Sequence, residues 1–158
     1  MKETHIMPDI VMNAIGIVRN AVTEPIDADW GKVVSEMHID AAYVPGLQGL
    51  SDWSHVVVIY SMHATQFDAA KHLVRRPRDR EDMPELGIFA QRARHRPNLI
   101  GITAVKLLAV ETHIIRVRGL DAIDGTPILD IKPYAPVYDG VNEPLVPGWF
   151  IRLMQGYF

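Results

Sequence analysis

The 158-residue sequence contains no cysteine. That excludes disulfides, thiolate metal sites and a cysteine nucleophile, and it fits a reducing, cytoplasmic setting. No apolar run approaches the ~18 residues of a membrane span. The start, Met1-Lys2-Glu3-Thr4-His5, lacks the apolar h-region of a secretory signal, so no membrane partner is expected. Internal repeats and low-complexity segments are missing as well. No G-x-G-x-x-G follows the first strand-like run, which argues against a Rossmann-type cofactor fold. Ser51 and Ser54 have no G-x-S-x-G context, so serine hydrolase chemistry is unsupported. His5, His38, His72, His95 and His113 form no H-E-x-x-H spacing. His55 and His63 would lie ~26 Å apart on one strand. No metal site is expected.

What the chain does have is concentrated positive charge. Arg92-Ala93-Arg94-His95-Arg96-Pro97-Asn98 packs three arginines and a histidine into its first five residues. Between Lys71 and Asn98 one Lys and seven Arg face four carboxylates, while the whole chain carries −3. Arginine presents a planar fork of donors that matches carboxylate or phosphate. Such a patch on an otherwise acidic body steers a polyanion to one place. A solvated loop with ion pairs is the plainer alternative for any charge run.

Periodicity reads mostly as β. Lys32–Asp40 alternates Val33, Ser35, Met37 and Ile39 against polar neighbours, a half-buried strand. Val56-Val57-Val58-Ile59-Tyr60 is a buried central strand. Ile100–Glu111 and Thr112–Arg118 form a hairpin pair, and Thr126–Ile131 is a strand stopped by Pro133. Asn13–Asn20 and Gly87–Gln91 are further short strands, the latter leading into the arginine run. Ile123-Asp124-Gly125-Thr126 carries the Asp-Gly signature of a tight turn. Ala64–Val74 is a short helix, and Gly148–Phe158 a terminal strand or short helix. About seven short strands with turn signals between them make a barrel or a sandwich. Length and composition fit one domain over residues 1–158, with an irregular tail over 137–158.

Four motifs then carry a resemblance. They are Ile15-Gly16-x-Val18-Arg19; Gly46-Leu47-x-Gly49-Leu50-x-x-Trp53-Ser54-His55 followed by His63; Gly87-Ile88-Phe89-Ala90-x-Arg92-x-x-x-Arg96-Pro97-Asn98; and Leu120-Asp121-x-x-Asp124-Gly125-Thr126-Pro127-x-x-Asp130-Ile131-Lys132-Pro133-Tyr134. Over about residues 13–136 the chain resembles the TsaA-like family, also called YaeB-like or TrmO. The resemblance implies a mainly β fold, a small single-domain β-barrel with short helices in its connections. It implies a homodimer holding S-adenosyl-L-methionine near the subunit interface. It implies methyl transfer to N6 of N6-threonylcarbamoyladenosine in the anticodon loop of a tRNA.

By motif match, His63, Ala64, Arg92, Leu120, Asp124, Gly125, Thr126 and Pro127 would hold the cofactor. Arg75, Arg76, Arg78, Arg94, Arg96 and Asn98 would face tRNA phosphates, with Tyr134 a stacking platform. Asp121, Asp124 or His63 could accept the proton of the acceptor nitrogen. Lys132 or Tyr134 could stabilise charge on the substrate carbamoyl. Read without the resemblance, Asp121 and Asp124 are Asx-turn residues and Asp130 pairs with Lys132. The chain departs from the family pattern at Thr23–Trp30, which is acidic and lacks arginine, and it resembles the short members of the family expected to do without a second C-terminal domain. Those departures keep a second function in view, a non-catalytic or redirected barrel that binds a nucleotide-like ligand or RNA.

Overall fold

The computed structural model describes residues 6–158, so His5 and the rest of the Met1–His5 segment lie outside the described residues. Among the described residues eight strands form: β1 Gly16–Arg19, β2 Val34–Ile39, β3 His55–Ser61, β4 Val74–Arg75, β5 Leu86–Gly87, β6 Ile100–Glu111, β7 Ile114–Arg118 and β8 Pro127–Pro133. Six of them close into an antiparallel barrel in the order β1-β2-β7-β6-β3-β8. Closure removes exposed strand edges, which decides for the barrel over the sandwich. β4 and β5 pair as a separate two-stranded ribbon.

The alternation read from the sequence sets the inward face. In β2, Ser35, Met37 and Ile39 are buried while Val34, Glu36 and His38 are not. The barrel interior holds Val18, Met37, Val56, Val58, Tyr60, Val105, Ile115, Val117, Leu120 and Ile128. β6 and β7 form the expected hairpin, with a register shift between Leu107 and Ala109. Among the described residues, no helix is long and apolar enough to cross a membrane.

Three local expectations are corrected. Gly87–Gln91 is not a strand; only Gly87 pairs, and Ile88–Ala90 is a 3₁₀ turn. Buried Ile88 and the Gln91 amide, which donates to the Arg75 and Leu86 carbonyls, pin that turn against the ribbon. The helix expected over Ala64–Val74 shrinks to α1, Ala69–His72, which begins where the Asp68 carboxylate accepts from the Ala70 amide. The tail expected as irregular carries α2, Pro136–Asp139, while the short helix expected within 148–158 forms as α3, Gly148–Leu153.

Candidate functional site

His63, the arginine loop and the 120–127 segment meet where β3 ends. His63 follows β3 and stands beside the turn, its Nε2 3.9 Å from where a side chain at Gly125 would begin. Tyr60 pairs with Gly101 of β6 and Ile128 of β8, so the end of β3 ties the arginine loop to the 120–127 segment. A Cβ at Gly101 would sit 2.4 Å from the Tyr60 ring, so only glycine admits that ring. Arg92 donates from Nη2 to the Ile102 carbonyl at 2.9 Å and otherwise faces solvent. His63 and Ala64 are exposed too, which makes this barrel end an open face.

Under that face lies a buried hydroxyl cluster. Asp121 Oδ1 accepts from Tyr60 Oη at 3.0 Å and from Thr103 Oγ1, and Oδ2 accepts from Tyr157 Oη at 2.7 Å. Burial, and then the charge of Asp121, push both tyrosine hydroxyls above their ordinary range, so they remain donors. Asp121 is therefore not an Asx-turn residue; it fastens the 120–127 segment to β3, β6 and the chain terminus. Tyr157, one of the C-terminal aromatics, is a residue that the sequence did not place at this site. It arrives because the Asp29 and Trp30 amides donate to the Gly156 and Tyr157 carbonyls. The Arg78 guanidinium lies 5.8 Å above its ring. No local pattern links position 157 to position 121.

The Asp-Gly turn forms as expected, with Gly125 at φ +82°. Three of its amides are engaged: Asp124 N donates to Val22 O, Gly125 N to Val18 O and Thr126 N to Ile123 O. The Asp124 carboxylate accepts from the Asn20 amide at 3.1 Å and meets Arg19 at 3.4 Å. Thr126 is buried and its hydroxyl donates to Ile123 O. Leu120 is fully buried, so only its backbone is available to a ligand. What the turn still offers is carbonyl oxygen, which suits an amine or ammonium donor.

The arginine run proves largely self-engaged. Arg75 pairs with Asp79 at 2.7 Å and Arg80 with Asp82 at 2.6 Å. Arg78 meets Asp27 at 3.6 Å, so the acidic 23–30 segment neutralises part of the patch. Arg76 donates to the Met83 carbonyl, and Arg96 to the carbonyls of Gln91 and Ala93. Carbonyl partners leave the charge uncancelled, so Arg76, Arg92 and Arg96 stay cationic sites. Arg94 and Asn98 are exposed, and Arg94 makes no ion pair among the described residues.

Lys132 and Tyr134 are not brought to this face within one chain. They sit at the far end of β8, about 17 Å of extended strand or more from Pro127. Lys132 pairs with Asp130 at 2.9 Å, the pairing read from the sequence. Tyr134 donates its amide to His55 O, and the two rings meet edge-on at 6.4 Å.

A histidine packed on the arginine loop carries a pH dependence. The His72 and His95 rings stack with centroids 4.3 Å apart, joining α1 to the loop. Desolvation first, then the charges of His95 and Arg75, hold the His72 imidazolium below its ordinary range, against the pull of Asp68. The unfolded chain therefore binds the proton more readily. The stack's contribution is full above about pH 6.5 and is lost as pH falls through the lowered value. The thermal midpoint is expected to drop more steeply between pH 6.5 and 5 in the wild type than in His72→Gln. Equal slopes would remove the stack from the explanation.

Comparison with known proteins bears on this arrangement. Residues 19–140 match the family model described as the tRNA-methyltransferase O N-terminal domain. The chain is 37% identical over 145 residues to a probable S-adenosyl-L-methionine-binding protein of Pyrococcus abyssi, covering 89% of this chain and 76% of that protein. It is 43% identical over 102 residues to a human tRNA (adenine(37)-N6)-methyltransferase, covering 63% of this chain but 23% of the human protein. The fold superposes on the crystal structure of TrmO from Pseudomonas aeruginosa with a TM-score of 0.70 at 29% identity. That match covers 87% of this chain and 62% of the other, so the chain spans under two thirds of both the human and the bacterial protein.

Proposed function

Because the chain belongs to the tRNA-methyltransferase O N-terminal domain family, we propose that it is an S-adenosyl-L-methionine-dependent tRNA methyltransferase whose acceptor is N6 of N6-threonylcarbamoyladenosine in the anticodon loop. The observation that carries this reading is the meeting, at one barrel end, of a guanidinium bonded to a carbonyl but to no carboxylate among the described residues, an exposed histidine and a turn whose Asp124, Gly125 and Thr126 amides are engaged.

That donor set suits the cofactor. Arg92 can take the carboxylate of the methionine moiety, and the carbonyls of Asp124 and Gly125 can take its ammonium or the adenine amine. Ala64, Pro127 and the Leu120 backbone complete the wall. When bound, S-adenosyl-L-methionine supplies a methyl group on a sulfonium. The chain's own task is placement, and well-oriented reactants can remove about 7–11 kcal/mol of a barrier. The acceptor nitrogen must lose a proton. Asp121 already accepts three hydroxyls, so its role is positional, and exposed His63 or Asp124 is the better placed acceptor.

Lys132 and Tyr134 serve the same transfer site from a second copy of the chain, polarising the acceptor carbamoyl. A homodimer with the cofactor near its interface follows from that division. Phe89, Ile100 and Ile102 support it, because they expose apolar surface beside Arg92 (Phe89 is 79% exposed). Arg76, Arg94, Arg96 and Asn98, with Arg75 and Arg78 behind them, face tRNA phosphates.

The test is a calorimetric titration with S-adenosyl-L-methionine beside an Arg92→Ala control. Removing a charge-assisted contact of about 1.5–3 kcal/mol is expected to weaken binding ~10–100-fold. Equal binding in both proteins would move the carboxylate away from Arg92. No binding by the wild type, with or without added tRNA, would favour the non-catalytic barrel.

A further inference from the structure

The barrel wall away from the arginine loop carries a second basic surface. Register places His55 opposite Lys106, and Lys106 opposite Arg118. Tyr134 joins the row through its amide bond to His55 O. Strands β3, β6 and β7, with Tyr134 just past the end of β8, thus present one lateral row, about 14 Å long at the usual strand spacing. The row points outward, because the alternating neighbours Val56, Val105 and Val117 are buried in the barrel. Trp53, just before β3, is 41% exposed at the same end.

Lys106 and Arg118 are the telling pair. Like charges directly opposite across two strands are destabilising. Neither forms an ion pair among the described residues, whereas Arg116, two residues along β7, meets both Glu36 and Glu111. The fold neutralises Arg116 and leaves its neighbours facing each other. The acidic groups on these outer strand faces are Glu36 and Glu111, both held by Arg116, and Asp130, held by Lys132; Asp52, before β3, is exposed.

We infer that this row is a binding surface for single-stranded RNA, with Lys106 and Arg118 on phosphates and Trp53, His55 and Tyr134 as stacking faces. The inference rests on the tRNA-methyltransferase reading and adds a substrate contact to it. Two uncancelled cations on an exposed sheet face call for a polyanion, and adjoining aromatic faces suit bases rather than a carboxylate-rich peptide. The row lies at the barrel end that carries Lys132 and Tyr134, so in the proposed dimer it leads RNA away from the transfer site.

The experiment is fluorescence anisotropy of a labelled single-stranded oligoribonucleotide against salt, using the full chain. A Lys106→Gln/Arg118→Gln variant is expected to bind at least ~10-fold more weakly at low salt. Its log–log salt slope should shrink by about 1.4, two phosphate contacts on a single strand. The melting temperature should stay level or rise, because a like-charge pair has gone. A folded variant with wild-type affinity and slope overturns the surface. Should the variant not fold, lysine acylation of the wild type decides: protection of Lys106 by RNA supports the surface, and none overturns it. Displacement by polyglutamate as effective as by RNA would overturn the RNA assignment in favour of an acidic protein. Titration of the same samples with S-adenosyl-L-methionine separates the two claims. Intact donor binding with no effect on RNA rejects the surface alone; no donor binding with the RNA effect present rejects methyl transfer alone.

Discussion

An Asp121→Ala variant is expected to lose about 2–5 kcal/mol of stability, against ~1 kcal/mol or less for Tyr157→Phe. The difference follows from which atoms are stranded. In the alanine variant the Thr103 hydroxyl, in a residue only 8% exposed, and the Tyr157 hydroxyl lose the oxygens they donate to, while the Tyr60 hydroxyl keeps only the residue 121 carbonyl at 3.2 Å. Each buried unsatisfied donor costs about 1–3 kcal/mol. The phenylalanine variant keeps the Tyr157 ring under Arg78 and leaves Asp121 its other two donors. Against a typical domain stability of 5–15 kcal/mol the first loss is large. Urea unfolding of both variants measures it. Near-equal losses would mean that the tail, not the carboxylate, holds the 120–127 segment.

The second large effect is a recovery. Arg92→Ala and Lys132→Ala are each expected to be nearly inactive, and mixing them after subunit exchange should restore up to about a quarter of wild-type activity. In one chain these residues stand at opposite barrel ends, Arg92 by Ile102 at the start of β6 and Lys132 beside Val57 near the start of β3. If each transfer site draws Arg92 from one protomer and Lys132 from its partner, half the mixed dimers are hetero-dimers. Each of those holds one intact site and one doubly altered site. No recovery in a mixture whose hetero-dimers are verified by mass would place both residues' work within one chain, or remove Lys132 from the reaction.

Much of the scaffold was legible because its signals are local. Period-two alternation in 33–39 announced the inward Met37 and Ile39, since a strand's faces alternate with every residue. The β-branched run at 56–59 marked a strand buried in the wall. Asp124-Gly125 marked a turn because glycine admits positive φ there. The short strand expected at 87–91 failed for a non-local reason: the Gln91 side chain closes the loop onto carbonyls that reach it only after β4 and β5 pair.

The sequence by itself determined the β class, the place of the Asp-Gly turn and the position of the arginine run, all of them properties of neighbouring residues. It also carried the motifs that name the family. Tertiary structure alone decided which barrel end each motif occupies, because closure in the order β1-β2-β7-β6-β3-β8 sends Arg92 and Lys132 to opposite ends. It assigned partners to the charges, tying Arg75, Arg78 and Arg80 to carboxylates while leaving Lys106 and Arg118 face to face. It brought Tyr157 onto Asp121, 36 residues away. Register and burial are set by the whole barrel at once, so no window of sequence contains them.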